Sequence, residues 1–149
     1  MPKPFPLQIV LDLMQSRTDA AARELGRRIA CERDAKAQLR MLEDYRAEYA
    51  ERFRSAVQGG MTHQQWQNYR DFLARLDEAV GAQTVVVAGN EHKTVQGKLQ
   101  WLDQKNRLRA FDTLADRHLD RERRLEGRRE QKFTDEIAAR RHGGDTKDD

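Results

Sequence analysis

The chain has 149 residues, of which 36% are charged and 38% hydrophobic, with only 3 prolines and 9 glycines. That composition belongs to long helices over a thin, elongated core, and it excludes a compact core built around a cleft. The net charge of +3 comes from 28 Lys and Arg against 25 Asp and Glu, with both signs interspersed, whereas a nucleic-acid binder usually shows one basic face.

From the start, the prolines in Met1-Pro2-Lys3-Pro4-Phe5-Pro6 forbid helix until about Leu7, so 1–6 is expected to be a flexible N-terminus without a signal-peptide h-region. No apolar run approaches the roughly 18 residues that span a membrane. Cys31 is the only cysteine, so no internal disulfide can form, which fits a reducing cytoplasm.

Helix one is expected over about 7–57. With Leu11 as an a position, the a positions are Leu11, Thr18, Leu25, Glu32, Leu39, Arg46 and Phe53. The d positions are Leu7, Met14, Ala21, Arg28, Ala35, Leu42, Tyr49 and Ala56. Of these 15 positions 11 are apolar, which is the seam of a coiled coil. Thr18, Arg28, Glu32 and Arg46 weaken it.

The turn is expected at 58–61. Gly59 and Gly60 can adopt the left-handed conformation that closes a helix, and Thr62 followed by Gln65 reads as a capping box for the next one. Helix two is expected over about 62–140, with a seam through Trp66, Tyr69, Leu73, Leu76 and Val80. Its periodicity weakens across 81–97, where Gly81, Gly89, Gly97 and the run Thr84-Val85-Val86-Val87 disfavour helix. A kink or frayed segment there is one reading; a continuous helix held by its partner is the preferred one, because packing routinely overrides propensity. The pattern returns at Trp101, Leu108, Phe111, Ala115 and Leu119. Residues 142–149 have no apolar anchor and read as a disordered tail.

The predicted fold is therefore all-α, a single antiparallel two-helix coiled-coil hairpin domain over 7–141, with the second helix longer than the first. At 1.5 Å per residue, the second helix would overhang the first by roughly 40 Å. The overhang carries Arg121, Arg123, Arg124, Arg128, Arg129 and Lys132 among Glu122, Glu126 and Glu130, and a lone helix of this kind awaits a partner.

No catalytic signature is present. His63, His92, His118 and His142 fall at no metal-ligand spacing, and Gly59-Gly60 is followed by Met61-Thr62 rather than by a phosphate-loop Lys-Ser or Lys-Thr. The chain is expected to be no enzyme, with no cofactor, metal, small-molecule ligand or nucleic acid. Gln38, Leu42, Tyr45 and Tyr49 share one stripe of helix one, and Phe72, Leu76, Ala79 and Gln83 repeat that spacing on helix two. Leu42, Tyr49 and Leu76 read as seam residues. Tyr45 and Phe72 lie off the a and d positions with no outer layer to cover them, so a partner-binding role competes with a packing one.

The segment Gln38-Leu39-Arg40-Met41-Leu42-Glu43-Asp44-Tyr45 with Glu48-Tyr49 resembles the first-helix signature of the flagellar export protein FliJ family. The likeness continues through Trp66, Asn68-Tyr69 and Phe72, then Trp101, Lys105, Arg107-Leu108, Ala110-Phe111 and Asp135-Glu136-Ile137-Ala138, covering roughly residues 7–140. Ala21-Ala22-Arg23 with Leu25-Gly26 also fits. The resemblance implies a cytoplasmic stalk of the hexameric flagellar export ATPase, peripherally associated with the inner membrane at the flagellar base. It also implies binding to the cytoplasmic domain of the export gate and to export chaperones.

The family's gate-binding face corresponds to Gln38, Leu42, Tyr45, Tyr49, Phe72, Leu76 and Ala79, while Gln83 stands where the family has a histidine. The ATPase would be met by the overhang, through Arg121, Arg124, Arg128, Arg129 and Lys132. The alternatives are the stalk of a virulence-type secretion system and a self-associating coiled-coil scaffold.

Overall fold

A computed structural model describes residues 7–145. Helix α1 runs Gln8–Gln58 and helix α2 runs His63–Asp145, 51 and 83 residues respectively, with no strand among the described residues.

The turn follows from its residues. Gly60 has φ 85°, a left-handed conformation that side chains with a Cβ resist, and its N–H donates to Val57 O at 3.2 Å. The capping box forms as expected. Gln65 N donates to Thr62 Oγ1 at 3.2 Å, and Thr62 N donates to Gln65 Oε1 at 3.1 Å, so two of the four N–H groups orphaned at a helix start are satisfied.

The described residues form two compact units. One contains residues 20–58 of α1, the turn, and α2 up to Leu102. In it Phe53 meets Tyr69 with ring centroids 5.6 Å apart, Gln83 reaches Ala35, and Arg28 reaches Lys93, so the helices run antiparallel. Its core is one seam wide. Ala35, Leu76 and Val87 are buried, and every a and d position from Ala21 to Ala56 except Arg46 is at least partly covered. Arg46 instead lies at the rim and pairs with Asp77. The other unit contains residues 7–19 of α1 and 103–145 of α2. Met14 and Thr18 are its buried residues on α1, and the Thr18 hydroxyl reaches Gln104 O at 3.3 Å.

The second helix is continuous through 81–97, with no frayed segment despite its glycines and valines. Its seam also continues where the apolar pattern breaks, through Gln83, Val87, Asn90, Thr94 and Gly97, all wholly or partly covered. The polar members find backbone partners. Gln83 Nε2 donates to Ala35 O at 3.0 Å, Asn90 Nδ2 to Val86 O at 3.1 Å, and Thr94 Oγ1 to Arg28 O at 3.4 Å. Gly97 leaves room for Arg28, whose Cδ would lie 3.0 Å from a Cβ built there, and Arg28 Nη1 donates to Lys93 O at 2.8 Å.

Helix α2 extends to Asp145, so 142–145, read from sequence as part of a tail, are helical. The rest of that tail, 146–149, and the N-terminal 1–6 lie outside the described residues.

Candidate binding faces

The first candidate face is a cluster of rings close to the turn. Tyr49 is the hub, with centroids 4.4 Å from Phe72, 5.3 Å from Tyr69 and 6.4 Å from Tyr45. Tyr45 stands edge-on to Phe72 at 6.2 Å with the planes at 90°, a favoured arrangement because the positive ring edge meets the negative face. Both residues sit beside the seam in the heptad, and the antiparallel crossing brings them together across it. Tyr45 remains 42% exposed, so the cluster has a half-buried floor and an open rim.

The remaining predicted residues divide by depth. Leu76 is buried, Leu42, Tyr49, Phe72 and Ala79 are half-buried, and Gln38 is exposed. Gln83 joins them by donating to Gln38 Oε1 at 3.4 Å as well as to Ala35 O. Burial pushes the Tyr49 phenol above its ordinary pKa, with neighbouring Tyr69 and Tyr45 adding to the effect, so it stays neutral and packs as a ring.

One residue absent from the sequence-level face is Met41, 64% exposed. It lines a shallow groove with Arg40, Asp44, Tyr45 and Glu48. Its position one turn before Tyr45, off the seam, was the signal that could have found it.

The second candidate face lies on α2 in the other unit. Arg121, Arg124, Arg128, Arg129 and Lys132 are all exposed. At 100° per residue, Arg121, Arg124, Arg128 and Lys132 share one side of the helix, and Arg129 stands about 80° round from Arg121. Arg117 joins the group, lining a shallow hollow with Asp120, Arg121 and Arg124, and Leu125 lies between Arg121, Arg124 and Arg128 in the next. The antiparallel crossing of Thr18 on Gln104 puts Gln8 level with about residue 114, so this part of α2 runs past the start of α1. Every residue from 127 to 143 is exposed.

The first of these faces offers apolar contact surface and the second charged contact surface. Among the described residues no group of three or more His, Cys, Asp or Glu is placed to hold a metal ion, and no helix is long and apolar enough to cross a membrane.

Antiparallel helices joined by a capped glycine turn, with rings clustered near that turn and a basic stretch on the longer helix, define a coiled-coil hairpin protein. The family model for the flagellar FliJ protein matches residues 2–147, and the chain belongs to that family. It is 33% identical over 135 residues to the flagellar FliJ proteins of Salmonella typhi and of Escherichia coli (strain K12), covering 90% of this chain and 91% of each relative. Among solved structures it is similar to a protein from Chlamydia trachomatis described as a YscO homologue. The TM-score is 0.74 over 99% of both chains at 16% identity, a likeness of fold.

Proposed function

We propose that this chain is a non-enzymatic component of the flagellar type III protein export apparatus, acting in the cytoplasm at the inner membrane of the flagellar base. It serves as a stalk for the export ATPase hexamer. Its aromatic face, Gln38, Leu42, Tyr45, Tyr49, Phe72, Leu76 and Ala79, docks on the cytoplasmic domain of the export gate, and it escorts export chaperones. The observation that carries the docking role is the open rim of the ring cluster, where Tyr45 stands 42% exposed against Phe72. Half-buried aromatic rings with an open edge are the anchors around which interfaces concentrate their energy.

The basic face of α2, with Arg121, Arg124, Arg128, Arg129 and Lys132, meets the ATPase ring through exposed charge pairs. Each such pair is weak, about 0–1 kcal/mol, which allows the contact to form and release during a catalytic cycle.

A pull-down against the flagellar export ATPase with nucleotide tests the stalk role. Binding at far less than one chain per ATPase subunit is expected, and its loss in Arg121→Glu with Arg124→Glu and Arg128→Glu. Unchanged ATPase binding in that triple variant would refute the basic face. In a parallel titration, Tyr45→Ala with Phe72→Ala should weaken gate binding at least tenfold while the far-ultraviolet circular dichroism spectrum stays helical. Intact gate binding would make the cluster purely structural.

A further inference from the structure

Between Leu114 and Lys132 the helix α2 sorts its charges by side. Arg117, Arg121, Arg124, Arg128 and Lys132 fall in one sector about 80° wide, and all five are exposed. Leu114, 40% exposed, and Leu125, 42%, lie along one border of that sector. Asp116, Glu122, Glu126 and Glu130 stand at least about 80° outside it, and Asp120 about 40° outside the other border. Elsewhere exposed cations meet a carboxylate one turn away, Arg27 with Glu24, Lys36 with Glu32, Arg54 with Glu51 and Arg107 with Asp103. No salt bridge among the described residues engages any of the five stripe cations. Their neighbours at three and four residues are one another, and like charges at that spacing oppose the helix that carries them. An anionic partner removes that opposition.

We propose that this stripe lies on the anionic surface of a phospholipid bilayer. From Arg117 to Lys132 it is straight, about 22 Å long and of one sign. A bilayer leaflet rich in acidic lipid is likewise of one sign over a plane, whereas a protein surface interleaves both signs and would be met by a mixed face. The two leucines fit the same occupant. With the guanidinium groups at the level of the lipid phosphates, Leu114 and Leu125 reach the boundary between headgroups and chains, which a nucleic-acid backbone does not offer. The partly covered side of α2, through Phe111, Ala115 and Glu122, lies about a third of a turn away, so the start of α1 leaves the stripe open. A stripe on the bilayer is hidden from the ATPase ring, so the two contacts exclude one another.

Each basic residue held near an anionic leaflet raises partitioning about fivefold, and salt screens the effect over about 10 Å. Flotation of the full chain with vesicles, without ATPase, reads the contact. The chain should float with phosphatidylcholine vesicles that contain about 30% phosphatidylglycerol, stay behind with phosphatidylcholine alone, and be released at about 0.5 M salt. Arg121→Gln with Arg128→Gln should lower partitioning at least tenfold while circular dichroism stays helical. Arg123→Gln with Arg129→Gln, the same change in net charge off the stripe, should lower it less than about fivefold.

No flotation with either vesicle overturns the proposal, and so does equal flotation with both. Equal losses from the two double variants overturn the stripe in favour of net charge alone. With no ATPase in the assay, either failure leaves the stalk role standing, and failure of the ATPase pull-down leaves the bilayer contact standing.

Discussion

Replacing Gly97 by alanine asks whether the crossing of Arg28 over α2 is what requires a glycine. In an unobstructed helix the change from glycine to alanine stabilises by about 1 kcal/mol. Gly89 is such a place, with open space where its Cβ would stand. At Gly97 the new Cβ would lie 3.0 Å from Arg28 Cδ and 3.5 Å from Leu25 Cδ1. Arg28 would have to swing aside and release its 2.8 Å hydrogen bond to Lys93 O, a loss of about 0.5–1.5 kcal/mol. The two effects offset one another, so Gly97→Ala should be near neutral or destabilising and fall about 1 kcal/mol or more below Gly89→Ala. Urea unfolding followed by circular dichroism gives both values. Adding Arg28→Ala to Gly97→Ala should make the Gly97 substitution favourable, because the obstruction is gone. Equal stabilisation by the alanines at 89 and 97 would refute the reasoning.

Glu24 gives a pH prediction. Hydrogen bonds from Arg27, then Arg28, hold its carboxyl at about 2, below its ordinary 4.5. A depressed folded value means that the stabilisation is present above pH 4.5 and is lost as pH falls through about 2. Glu24→Gln should therefore flatten the acid limb of the stability profile in that window, and added salt should flatten the wild type in the same way because the group faces water. At the turn, Thr62→Ala removes the acceptor for Gln65 N and should cost about 1 kcal/mol, measured by thermal unfolding; Thr62→Ser should restore most of it.

Much of the fold could be read from local pattern. The heptad of α1, from Leu11 to Ala56, falls on covered positions at every place but Arg46, because a 3.5-residue repeat and a helix's 3.6-residue turn keep the same side chains facing one way. Thr62 and Gln65 announced their capping box because both partners lie within one turn of sequence. The aromatic stripes were visible as spacing, and so was the placement of Tyr45 and Phe72 beside the seam. That their rings meet edge to face is a matter of register between two helices, which no single helix contains.

What the sequence by itself determined was every feature whose cause is local: two helices, their shared period, the glycine turn, and the basic stretch of the longer helix. Only tertiary structure decided the middle of α2. The polar residues Gln83, Asn90 and Thr94 and the empty position Gly97 look unfit for a seam when counted by hydropathy. They serve as one because carbonyls of α1, at Ala35 and Arg28, accept hydrogen bonds from Gln83 and Thr94, and the Arg28 side chain fills the space beside Gly97, while Asn90 bonds within its own helix to Val86 O. A polar group buried against a partner costs little when that partner accepts its hydrogen, and where the partner lies depends on how the chain folds back.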